Sequence, residues 1–115
     1  HFRFAQDTVT FAAGDTIFAV GDPGEVMYGV KSGEVELYFN GRLLETVGPG
    51  GMLGVKTLID ADPHTTTAIA RTKCELVPVD QDRFLFLVHE TPTFALLVMR
   101  VMAERTRAIM RLAVT

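Results

Sequence analysis

Two side chains in one polar stretch of this sequence, Lys56 and His64, have types suited to holding a negative charge, and a separated pair, Cys74 and His89, has types that can bind haem iron. Lys56 would supply a cation, although a lysine in a polar loop is most often solvated. His64 follows Pro63, and an imidazole protonated below about pH 6.5 attracts an anion that the neutral ring does not. A histidine in such a loop is most often a solvated surface group, and that is the expectation here. A lone cysteine is far more commonly a small core residue than an iron ligand, so Cys74 is assigned to the core. No nucleophile–base pair, paired carboxylates or metal-spaced ligands occur together, which makes the chain a non-catalytic one.

Size and charge narrow the classes further. The 115 residues carry 11 basic and 14 acidic side chains, a net charge of −3, with no Lys/Arg cluster, so no electrostatic footprint for nucleic acid is present. With a single cysteine no internal disulfide can form, which fits a reducing compartment and points to the cytoplasm. The longest apolar runs, 84–88 and 94–99, are far shorter than the roughly 20 residues of a membrane span, and no secretory leader pattern is visible. No membrane association is expected. At 48% apolar residues the chain has the balance of one autonomous globular domain over residues 1–115.

The elements that must position these residues come in two kinds. From Thr8 to Asp80, short β-branched and aromatic runs alternate with turn residues, predicting antiparallel strands at 8–11, 16–19, 26–31, 33–39, 42–47, 66–70 and 75–79. In the fourth, Glu34, Glu36 and Tyr38 face one way and Val35, Leu37 and Phe39 the other. Asn40-Gly41 between two such runs is a type I′ hairpin signal. After Asp80, which caps it, a short helix covers about 81–90, and beyond Thr91-Pro92 a long helix runs over about 92–113. The fold class is therefore mainly β with C-terminal α: a barrel or roll over about 7–80 followed by helices.

On the long helix, Arg100, Glu104, Arg107 and Arg111 fall within an arc of about 60°, and the rest is largely apolar. A surface helix needs an apolar stripe of only somewhat over 100°, so the surplus calls for a second partner, most simply the same helix of another copy. Leu97, Val98, Val101, Met102 and Ile109 are the residues assigned to that homodimer contact.

The turn-bearing segments Phe11-Ala12-Ala13-Gly14-Asp15-Thr16-Ile17-Phe18, Gly21-Asp22-Pro23-Gly24-Glu25-Val26-Met27-Tyr28-Gly29-Val30 and Ser32-Gly33-Glu34-Val35 together resemble the cyclic-nucleotide-binding domain of the CRP/FNR regulators and their kinase and channel relatives. Gly14, Gly21, Gly24 and Gly33 are read as structural glycines that let a small roll reverse direction. The resemblance implies a jelly-roll-like, double-stranded β-helix barrel and, between Gly50 and Ala70, a cassette holding a cyclic phosphate. There a Gly-Glu pair opens a short helix, the glutamate accepts from the ribose 2′-hydroxyl, and an arginine holds the phosphate.

Gly54, Leu58, Pro63 and Thr65 match that cassette. Val55 stands in the glutamate position and His64 in the arginine position. The resemblance thus carries the candidate ligand set Gly54, Val55, Lys56, Thr57, His64, Thr65 and Thr66. The amides of 55–57 and the Thr65 hydroxyl remain as donors to a small anionic ligand. Val55 leaves a ribose hydroxyl unpaired and neutral His64 supplies no fixed charge, so cAMP or cGMP is implied as a weak ligand and no cofactor is certain. The base-contacting segment of the family's long helix falls near Ile109 and Met110, both apolar. Two readings follow: a regulatory ligand sensor signalling through its C-terminal helix, or a degenerate dimerisation module that has lost its ligand.

Overall fold

The computed structural model describes residues 8–114. The strands are β1 (Val9–Phe11), β2 (Thr16–Phe18), β3 (Met27–Ser32), β4 (Val35–Phe39), β5 (Arg42–Val47), β6 (Met52–Leu53), β7 (Thr67–Ala70) and β8 (Cys74–Val79). The helices are α1 (Val55–Asp60), α2 (Gln81–Glu90) and α3 (Pro92–Ala113). The expected start of the roll at Asp7 lies outside the described residues.

Two four-stranded sheets, ordered β1-β8-β3-β6 and β2-β7-β4-β5, form the roll. Every pairing is antiparallel. The alternation in β4 puts Val35 and Leu37 into the core, where they meet Ala68 and Ala70 of their own sheet and Val30, Leu53, Cys74 and Leu76 of the other. Cys74 is thus a core residue, its Sγ lying 3.2 Å from both the Glu34 and Thr72 carbonyl oxygens, which share its single S–H. Asn40 and Gly41 adopt φ 52° and 76°, and Phe39 pairs with Arg42 across them, as the hairpin signal requires. Strand β6 went unread in the sequence because two residues give no period; it is held by Tyr28 and Gly29 of β3.

Gly24 corrects one part of the glycine reading. Gly14, Gly21 and Gly33 do take φ of 92°, 91° and 87°, but Gly24 is not among the positive-φ residues. A Cβ there would fall 1.3 Å from Thr57 Cγ2, so the position is glycine because α1 presses against it. Gly24→Ala must push α1 aside, and overpacking of this kind costs about 1–3 kcal/mol. The melting temperature is expected to drop by roughly 5–15 °C; an unchanged melt would mean that the 21–26 turn simply lifts away.

A second core sits between the roll and the helices, built from Met27, Met52, Val55, Leu58, Val79 and Val98, with Phe84, Leu87, Phe94, Val101 and Met102 packed on it. Asp80 caps α2 by accepting from the Arg83 amide at 2.9 Å, and Pro92 opens α3. The chain turns by 119° between these helices, and no single helix among the described residues is long and apolar enough to cross a membrane.

This packing revises the assignment of α3. Val98 is 2% exposed, sealed against the roll, so it is unavailable to another copy. Val101 and Met102 pack on the same intramolecular core. The 94, 98, 101, 102, 105, 109 stripe is the helix's docking face. What α3 leaves open instead is Leu96, Leu97, Met99 and Met110, with Met99 60% exposed.

Candidate ligand pocket

Gly54 ends β6 and caps α1 in the left-handed region, φ 75° and ψ 18°, which turns the chain sharply enough to aim Val55, Lys56 and Thr57 at one concavity. The first amides of a helix have no acceptor within it, and residues 55–57, which open α1, line the concavity. From the other side the loop entering β7 brings His64, Thr65 and Thr66. All seven candidate ligand residues line one cavity of about 100 Å³, closed by Leu37, Leu44, Met102, Arg105, Thr106 and Ile109. Pockets for whole small molecules run from about 300 Å³, so this cavity has the room of a phosphate-sized group rather than of a whole nucleotide. A larger groove of about 570 Å³ between β3, β8, α2 and α3 is walled mainly by apolar groups such as Met27, Val79, Leu87 and Phe94 and lacks convergent polar groups.

His64 departs from the solvated loop residue expected of it. It is 5% exposed, and its ring stacks on Phe18 with centroids 3.7 Å apart and planes tilted by 14°. Its main chain is clamped on both sides: the Gly21 amide donates to its carbonyl at 2.9 Å, and its own amide donates to the Asp22 main-chain carbonyl at 3.0 Å. The Thr57 hydroxyl lies 3.4 Å from Nδ1. Burial lowers its pKa from the ordinary histidine value, opposed in part by the Asp22 carboxylate.

Lys56 is half exposed and bonds Asp60 at 2.8 Å, with Asp62 at 3.8 Å. Those carboxylates hold its pKa up and occupy the charge that the pocket would otherwise see. Val55 belongs to the second core while facing the cavity wall.

Arg105 is the charged one among the pocket residues that the sequence reading missed, with Leu37, Leu44 and Thr106. Its side chain is only 16% exposed; Nε donates to Glu45 at 3.2 Å and Nη2 donates to the Met52 carbonyl, tying α3 to β5 and β6. The signal was present: Arg105 lies about 140° around the helix from Arg100, outside the polar arc and on the docking stripe. A lone cation on a buried stripe needs partners. Arg105→Met keeps the stem but leaves Glu45 and the carbonyl without their donor. A loss of about 1–3 kcal/mol is expected, with much of it absent when Glu45→Gln is already in place, as a double-mutant cycle of melts would show. Thr106 spends its hydroxyl on the Met102 carbonyl at 2.9 Å, and Ile109 faces the cavity while Met110 stands outside it.

Residues 8–91 match the family described as the cyclic nucleotide-binding domain. The chain belongs to that family. Over 104 residues it is 34% identical to the CRP-like cAMP-activated global transcriptional regulator of Mycobacterium tuberculosis, a match covering 86% of this chain and 46% of the relative. The chain therefore spans about half the length of the curated relatives it matches. Among solved structures, the catabolite activator protein of Thermus thermophilus superposes with a TM-score of 0.78 at 30% identity, covering 93% of this chain and 53% of that one. The N-terminal domain of a transcriptional regulator from Streptomyces coelicolor A3(2) does so with a TM-score of 0.64 at 35% identity, covering 87% and 75%. The roll with C-terminal helices is the fold of the cyclic nucleotide-binding domain, and the relationship to CRP-like regulators agrees with the glycine-bearing segments 11–35. Among the described residues no group of three or more His, Cys, Asp or Glu side chains is placed to hold a metal ion.

Proposed function

We propose that this chain is the sensor domain of a CRP-like regulator, non-catalytic, taking a cyclic nucleotide weakly and reporting its occupancy through α3. The observation that carries this reading is the convergence of residues 54–57 and 64–66 with Met102, Arg105, Thr106 and Ile109 around one cavity. A ligand seated on the cassette touches the helix directly, so helix position and occupancy are coupled whenever two helix arrangements bind it with different affinity. Weak recognition follows from Val55, which accepts no hydrogen bond, and from buried, neutral His64.

The helix also offers a seam for a second copy. Leu96, Met99, Ala103 and Met110 are all exposed and follow heptad spacing, on the flank of α3 turned away from the roll. This replaces the docking-stripe residues as the proposed homodimer contact, with Leu97 on the opposite flank.

Calorimetric titration with cAMP and cGMP to millimolar concentration at pH 7 tests the reading. Binding in the high micromolar to millimolar range is expected. Tight binding would show that amides and hydroxyls suffice without the two charges. Absence of heat would favour the second reading, a dimerisation module without a ligand, which the sealed position of Val55 supports.

A further inference from the structure

We propose that His64 makes anion binding in this pocket proton-dependent: the phosphate-bearing ligand enters together with a proton on the imidazole, so affinity rises as the medium becomes more acid. This rests on the reading that the cavity takes a cyclic nucleotide, and concerns how that same site is controlled.

The geometry gives His64 no escape from the pocket. Its ring is wedged between the face of Phe18 at 3.7 Å and Gly54, where even a Cβ would sit 3.0 Å from Cε1. Its main chain is fixed through Gly21 and Asp22. It cannot swing out to be solvated when it ionises, so any charge it acquires stays at the cavity wall.

The other cations of that wall are already engaged. Lys56 on α1 is held by Asp60 and Asp62, and Arg105 on α3 by Glu45 of β5. Asp22, in the β2–β3 turn, is the remaining charged group whose field reaches the ring. Carboxylates, lysine and arginine all keep one charge state between pH 5.5 and 8. Among the side-chain types that line this cavity, imidazole is the one that ordinarily gains a proton in that range, and His64 supplies it.

An isolated buried imidazolium is unfavourable, and the lowered pKa expresses that. A bound phosphodiester supplies the missing counter-charge and raises the pKa in the complex. Between the free and bound values, affinity falls by up to about tenfold per pH unit as the pH rises. Thr57 suits both forms, since its hydroxyl donates to neutral Nδ1 and accepts from it when protonated. The ligand-free fold shows the opposite face of the same linkage. Its folded-state pKa lies below the unfolded value, so the stability contributed by neutral His64 is present above pH 6.5 and is lost as the pH falls below it.

The test uses cAMP, whose phosphodiester charge is constant from pH 5 to 8, and sulfate as a base-free anion of constant charge. Each is titrated calorimetrically at pH 6.0 and 8.0, at fixed ionic strength, in buffers of differing ionisation enthalpy. At least about tenfold tighter cAMP binding at pH 6.0, with proton uptake, is expected for the chain as it stands. His64→Arg should bind at both pH values alike, and His64→Gln weakly and alike.

Equal affinity of the unaltered chain at both pH values, or the same slope in His64→Gln, overturns the proposal. If cAMP fails to bind while sulfate binds with His64-dependent proton uptake, the proton linkage stands and the nucleotide reading falls. If neither binds, both fall. Should a variant fail to fold, ring-proton NMR of the unaltered chain decides, because the His64 titration midpoint must move upward on adding cAMP or sulfate; an unmoved midpoint overturns the proposal.

Discussion

The double substitution Val55→Glu with His64→Arg is expected to raise cAMP affinity by about a hundredfold to several-thousandfold at pH 7. Two physical terms add. A glutamate at 55 gives the ribose hydroxyl an acceptor whose absence costs about 1–3 kcal/mol, and an arginine at 64 brings a permanent charge and a planar fork that a neutral imidazole lacks. Together they amount to roughly 3–5 kcal/mol.

The structure adds a condition. Val55 is packed in the core with Met27, Met52, Leu58 and Val98, so a carboxylate there is partly desolvated before any ligand arrives. Val55→Glu alone should therefore lower the ligand-free melting temperature and regain much of it when cAMP is added. Arg105 lines the same cavity but is already bonded to Glu45, so to stabilise the new carboxylate it would have to be shared between the two. Calorimetry and melts with and without cAMP check both parts. A folded double variant with no gain in affinity would place the obstacle elsewhere, at Ile109 and the apolar wall where the base would lie.

What was legible in the sequence was what short-range chemistry dictates. Asn40-Gly41 fixes a hairpin because both positions need positive φ, and Asp80 and Thr91-Pro92 bound the helices through capping and the missing proline amide. The candidate ligand residues came as a set from the resemblance of the cassette at 50–70, not from any spacing rule, and the fold places them around one cavity. What was hidden depends on contacts distant along the chain. His64 is buried by Phe18, a residue 46 positions away, and nothing in Pro63-His64-Thr65 announces that stack. Gly24 is small because of Thr57. The division of α3 into a docking stripe and an outer face required knowing where the roll lies, since the helix is apolar on both.

That division makes the second large prediction. Val98→Asp should cost about 3–5 kcal/mol, because an unpartnered carboxylate would be forced between α3 and the roll, and a domain has only about 5–15 kcal/mol in total. Urea unfolding should show a lower midpoint at every protein concentration. Leu96→Glu with Met99→Glu, on the exposed flank, should change the stability of one chain by no more than about 0.5 kcal/mol per site yet shift sedimentation to monomers. An unchanged sedimentation profile would remove the proposed seam, and an unchanged midpoint in Val98→Asp would mean that the roll does not hold α3. The two outcomes bear on the proposed signalling because Met102, Arg105 and Ile109 face the pocket on the same helix that carries Leu96, Met99 and Met110 outside. A ligand that shifts the inner face cannot leave the outer one in place, so Arg105→Met should weaken self-association as well as the fold, whereas changes at the seam should leave the pocket's charge, and the proton dependence at His64, as they are.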